Sequence, residues 1–201
     1  MTSYRTQRIL PIILVIVIVV IAVAALVSLA RAVFFPSSSS QPAAVVDTSR
    51  DALLNTSAGH RVTMTVRGPI VADEAFNSYS ISISPSQRTM TTYQGYTDTV
   101  LNQQSLGNNT AAYEEFVYAL DKANLADGKE LDEERNDVRG VCATGRVYEF
   151  EIIDGTDVVK KLWTSTCNGS RGSLDANVNQ VGELFLAQIP DASDMLTKLD
   201  L

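Results

Sequence analysis

Histidine is nearly absent from this sequence, His60 being the single example, and only two cysteines, Cys142 and Cys167, occur in 201 residues. A histidine-rich metal site is excluded by count, and two cysteines so far apart lack the close C-x-x-C type of spacing that builds common zinc motifs. There is no glycine-rich phosphate loop and no G-x-S-x-G nucleophile elbow. Positive charge is scarce too: of the 16 Lys and Arg, Arg5, Arg8 and Arg31 precede Asp47, which leaves 13 against all 23 Asp and Glu, a formal charge of −10 beyond residue 46. Such a field repels nucleic acid and anionic lipid headgroups, so no nucleic-acid partner is expected, and with no phosphate loop or metal spacing no cofactor is expected either.

Between Arg8 and Arg31 charge is missing altogether. These 22 residues, dominated by Ile, Val, Leu and Ala, would span about 33 Å as a helix, enough for a hydrocarbon core of roughly 30 Å. In lipid a lone segment satisfies its backbone only as a helix, and Pro11 falls in the first turn, where a missing N–H costs least. The pattern predicts a transmembrane helix over 9–30, with 1–8 cytoplasmic because Arg5, Arg8 and the terminal amine outweigh Arg31. The lipid bilayer is then the first expected partner, and the domain that follows is extracytoplasmic. Ala30-Arg31-Ala32 offers a small-x-small cleavage site as the competing reading, but the apolar stretch exceeds the roughly 7 to 15 residues of a signal sequence.

Phe35-Pro36, four serines and Gln41-Pro42 make 31–46 a linker that resists helix and packs nothing. One α+β domain is expected over 47–190, opening with a short helix within Asp47–Ala58 anchored by Leu53 and Leu54. Val62, Met64 and Val66 alternate with Arg61, Thr63, Thr65 and Arg67, a half-buried strand within His60–Val71. A second alternation around Tyr79, Ile81 and Ile83 turns at Pro85-Ser86 into a third run over Arg88–Tyr93. Asn109 or Thr110 caps a helix to about Leu125 carrying Tyr113, Phe116, Val117 and Leu120. Ser173 or Asp175 caps another, carrying Val178, Val181, Leu184, Phe185 and Ile189 and ended by Pro190. Residues 191–201 read as a frayed tail or short turn. The order predicts an antiparallel sheet of about five strands with two helices on one face.

Arg146–Ile153 and Val158–Cys167 flank Asp154-Gly155, a dipeptide typical of two-residue type I′ turns. If those two residues alone form the turn, Glu149 faces Lys160, Phe150 faces Val159 and Arg146 faces Trp163 as a cation–π pair. The same register carries outward to Cys142 opposite Cys167 at a non-hydrogen-bonded site, where Cα atoms approach closely enough for a disulfide. In an oxidising compartment the two would pair and leave no orphan thiol.

Candidate chemistry is thin. His60 has no carboxylate near it in sequence and reads as a polar residue at a strand edge. The run Asp127, Glu130, Asp132, Glu133, Glu134 and Asp137 does not fit EF-hand spacing and reads as a solvated loop over 127–139. Glu149 and Glu151 share a strand face as glycosidases' paired carboxylates would, but Lys160 offers the first a structural partner. Tyr79, Tyr93, Tyr96, Tyr148 and Trp163 read as packing rather than a ligand platform. Asn55, Asn108 and Asn168 open Asn-x-Ser/Thr triplets.

The runs VRGPIVADE, TAAYEEFVYALDKANL, RGVCATGRVYEFEI and LWTSTC resemble an uncharacterised family of small single-pass membrane-anchored proteins of bacteria with reduced genomes. The resemblance implies a bacterial cell-envelope location, in which the Asn triplets have no role, and it implies no catalytic residue. The expected function is a non-catalytic tethered domain that binds an envelope protein or polymer or serves envelope assembly; a cell-envelope hydrolase with residues gathered from distant positions is the alternative.

Overall fold

A computed structural model describes residues 18–23 and 48–199. The chain divides into two units, Met1–Val46 and Asp47–Leu201. In the first, residues 18–23 are helical and exposed. No helix among the described residues is long and apolar enough to cross a membrane, and the rest of the predicted span over 9–30, like the linker over 31–46, lies outside them.

The second unit is α+β. Its elements are α1 (Ser49–Leu53), β1 (His60–Arg67), a 3-10 turn (Asp73–Ala75), β2 (Asn77–Ile83), β3 (Gln87–Gln94), β4 (Thr99–Gly107), α2 (Thr110–Lys122), α3 (Glu133–Asn136), β5 (Val147–Asp154), β6 (Asp157–Ser165), α4 (Val178–Leu186) and α5 (Ala192–Leu196). The six strands form one sheet in the order β4-β3-β2-β1-β5-β6, with every neighbouring pair antiparallel. The first four strands make a meander. The chain then crosses through α2 to the free side of β1, where β5 and β6 add a hairpin.

Strand alternation decides what each face does. On β1, Val62, Met64 and Val66 are fully buried while Arg61, Thr63, Thr65 and Arg67 are half-buried on the opposite side, as the period of two requires. Ile81, Ile83, Met90, Phe150 and Ile152 share the buried face with β1, and onto it pack Leu53 of α1, Phe116, Val117 and Leu120 of α2 and Val181 and Phe185 of α4. Phe185 is the keystone of the aromatic part: it meets Phe116 edge-on at 5.2 Å and Phe150 tilted at 6.0 Å, geometries that favour the ring quadrupoles. Asn109 caps α2 by accepting from the Ala112 N–H at 2.9 Å, as the sequence predicts.

Three departures are informative. A sixth strand, β4, stands where no alternation is legible: TVLNQQSLG forms the sheet edge beyond the helix layer and is exposed along most of its length. The cap of α4 is Asn177, whose side chain accepts from the N–H groups of Asn179 and Gln180, instead of Ser173 or Asp175. Beyond Pro190 the chain is not frayed over the described residues; α5 brings Ala192 and Met195, and then Leu199, into the main core.

Replacing Phe185 by Ala should lower unfolding stability by about 3–5 kcal/mol, the cost of a large core cavity, measured by denaturant titration of the full-length protein.

Candidate functional site

The β5–β6 hairpin shows the disulfide and a different register together. Cys142 and Cys167 are bonded, with Cα atoms 5.5 Å apart. The turn, however, is Gly155-Thr156, since Asp154 pairs with Asp157, and the register slips between Ile152 and Ile153 so that Val159 is bulged out. Among the central residues only Gly155 has positive φ, the pattern of a type II′ rather than a type I′ turn. Glu149 therefore faces Trp163 and Phe150 faces Leu162, while Arg146 lies beside Thr166. The expected Glu149–Lys160, Phe150–Val159 and Arg146–Trp163 pairs are not formed across the hairpin. Cys142 reaches its partner from the loop that precedes β5, not from within the strand.

That loop passes over the polar face of the sheet. Val147, Trp163 and Cys142 form a small second core there, joined by Leu131, Val138, Val141 and Cys167. The edge of β6 is sealed in the same region: Ser173 Oγ accepts from the Trp163 N–H, and Ser173 and Leu174 both donate to the Trp163 carbonyl at 2.9 and 3.0 Å. Gly172, at φ +68°, makes this close approach feasible, because a Cβ there would collide with the Trp163 carbonyl and ring. Glu130 Oε1 accepts from the Lys161 N–H at 2.6 Å.

Between this loop and the other end of β1 lies a cleft of about 700 Å³, within the size range of small-molecule sites. One wall is the loop, with Val138, Val141 and Cys142; the other is Ile70 with the stacked rings of Phe76 and Tyr96, whose centroids are 4.1 Å apart. Tyr96 is pinned twice: its hydroxyl donates to the Val71 carbonyl at 2.8 Å, and its N–H donates to Asp73 Oδ1 at 2.8 Å. The Ile70 N–H donates to the Ala143 carbonyl at 2.9 Å and joins the two walls.

The floor carries an ion network. Glu149 is 6% exposed in its side chain; its Oε1 accepts from Arg67 Nε at 2.9 Å and its Oε2 lies 2.7 Å from Lys161 Nζ, which is also 3.6 Å from Glu151. Burial depresses the Lys161 ammonium, but its bonds to Glu149 and Glu151 outweigh that and raise it above its ordinary value. The acidic run is held locally: Asp132 caps α3 and bonds Arg135, while Arg139 grips Asp137 and holds its carboxyl down to about 2. Among the described residues no group of three or more His, Cys, Asp or Glu is placed to hold a metal ion.

His60, by contrast, gains through space the carboxylate it lacks in sequence. It pairs with Asp154 across β1 and β5, its Nε2 lies 3.4 Å from Asp154 Oδ1, and its Nδ1 lies 3.3 Å from Ser57 Oγ. A depression of about 450 Å³ lined by Gly59, His60, Arg61 and Ser86 adjoins it. The proton directions oppose serine activation. Asn55 Oδ1 accepts both the Ser57 N–H at 3.0 Å and the Ser57 hydroxyl at 2.5 Å. A carbonyl oxygen only accepts, so the Ser57 hydroxyl donates its proton to Asn55 and not to His60 Nδ1. In a nucleophile–base pair that proton goes to the base.

Neither the cleft nor the Ser57–His60–Asp154 row is legible from local motifs. Arg67, Glu149 and Lys161 each sit in an ordinary alternating strand, and only the sheet order brings them together. No family model matches the chain, and no curated protein is significantly similar to it.

Glu149→Gln should lower stability by about 2 kcal/mol. Removing one partner from a buried ion pair costs more than this, and the exposure of Arg67 and Lys161 reduces it. A raised ammonium contributes stability that is complete below its ordinary pKa of 10.5 and lost as pH rises through the higher folded value. Urea titrations at neutral and alkaline pH should therefore find the difference between wild type and variant shrinking at the alkaline end.

Proposed function

We propose that this protein is a non-catalytic binding domain, tethered through residues 9–30 to a cell membrane with its amino terminus cytoplasmic and the α+β unit extracytoplasmic. The cleft on the polar face of the sheet carries this reading. Its two walls are pinned by the disulfide on one side and by Tyr96 and Asp73 on the other, and the Ile70–Ala143 bond joins them. Its lining combines apolar side chains with a few fixed charges and contains no nucleophile paired with a base. The charge-free run between Arg8 and Arg31, the disulfide and the resemblance to membrane-anchored envelope proteins support the location, and an envelope protein or polymer is the class of partner.

The alternative is a cell-envelope hydrolase using Ser57, His60 and Asp154. The proximity of the three groups supports it, and the bond from Ser57 to Asn55 weighs against it.

Intact-mass spectrometry of the full-length protein from membranes, after exposure to an alkyl fluorophosphonate, tests both parts. The tethered binding reading predicts the full-chain mass less two hydrogens for the disulfide, with no adduct. A fluorophosphonate adduct on Ser57 that disappears in His60→Ala would establish the hydrolase, and a mature chain beginning at Val33 would remove the tether.

A further inference from the structure

The cations lining the cleft differ in what they have left to offer. Lys161 is committed to Glu149 and Glu151, and the Arg139 fork is closed on Asp137. Arg67 is held through Nε alone, by the buried Glu149, and its two terminal nitrogens have no protein acceptor among the described residues. The side chain is 38% exposed, and its Nε bond to the buried Glu149 holds the guanidinium on one side. A planar fork anchored at Nε and open at both Nη positions matches the two oxygens of a carboxylate. Lys161 neutralises much of the Glu149 charge, so the carboxylate behind Arg67 does not cancel the attraction. The lining also carries Asp98, Asn136 and the paired Asp137, Arg139, Glu149 and Lys161, and its apolar part is Ile70, Phe76, Tyr96, Val138 and Val141. Ile70 and Tyr96 are 48% and 47% exposed, which is more apolar surface than a closed core would leave in one place.

We infer that the cleft binds a small apolar monocarboxylate, its carboxylate paired with Arg67 and its hydrocarbon body lying between Ile70, the Phe76–Tyr96 stack and the loop at Val138–Val141. This rests on the reading of the cleft as the recognition surface and names what it takes. Such a ligand answers both features at once: a neutral ligand leaves the Arg67 fork unpaired, and a highly charged one leaves the apolar walls wet.

The test uses the full-length protein in lipid nanodiscs, with methyl NMR of Ile70, Val138, Val141 and Val147 and with 4-phenylbutyrate and its uncharged amide as paired probes. The acid should shift these methyls saturably while Met64 and Ile81 in the main core stay unmoved. Binding should weaken at least tenfold for the amide and for Arg67→Gln, with Arg67→Lys, which keeps the charge but not the fork, in between. The core methyls report whether each variant is folded. Equal binding of acid and amide at the same methyls would overturn the carboxylate inference and leave the binding cleft standing. No shift at the cleft methyls with either probe would overturn the inference and the cleft reading together.

Discussion

Two long helices with α1 and α5 cover one face of this six-stranded sheet, and the other face has only a loop with the single turn of α3 to cover it. That constraint runs through the rest of the structure. On the helical side the strands supply Val62, Met64, Ile81, Ile83, Phe150 and Ile152, and burial of these residues with Phe116, Leu120 and Phe185 drives folding. On the other side the same strands present Thr63, Ser82, Thr89 and Ser105, whose hydroxyls bond to one another across neighbouring strands. A polar lattice of this kind tolerates water. At β5 and β6 the outward residues turn apolar, with Val147 and Trp163, and there the chain sends the loop before β5 over the sheet and fastens it with Cys142–Cys167. The cleft lies at the rim of that cover.

The cover is also where charge is arranged most tightly. Glu149 would be costly alone on a strand beside Trp163, and Arg67 and Lys161 satisfy both of its oxygens. Three of the six acidic residues of 127–139, which in sequence invite a cation-binding reading, are engaged: Glu130 on the β6 backbone, Asp132 as a helix cap, Asp137 on Arg139. The loop is thereby shaped by short-range bonds as much as by the second core. Of the cationic side chains lining the cleft, Arg67 alone keeps an open fork among the described residues.

How much was legible follows from where packing is one-sided. β1, β2 and α2 could be read because hydropathy alternates with their packing, whereas β3, in which Met90, Thr91 and Thr92 are all buried, follows only from the turn at Pro85-Ser86. β4 could not, because an edge strand outside the helix layer has solvent near both faces and no reason to alternate. The Cys142–Cys167 pairing was inferred correctly from a register that the hairpin does not adopt. The turn sits one residue further along and Val159 bulges out, neither of which a local dipeptide specifies. The tail beyond Pro190 reads as frayed or a short turn, yet Met195 and Leu199 join the core. The cleft was invisible because Arg67, Phe76, Tyr96 and Glu149 come from four separate segments, and the residues that looked most chemical, the acidic run and His60, have local structural partners.

The central claim is that the disulfide pins a cover on one face of a sheet whose folding is driven from the other. Hydrogen exchange of the full-length protein, oxidised and then reduced and alkylated, tests this most directly. The account predicts that reduction strips protection from 131–147 and 163–170 while β1 to β3 and α2 exchange as before. Loss of protection throughout the domain, or an unchanged loop, would contradict it.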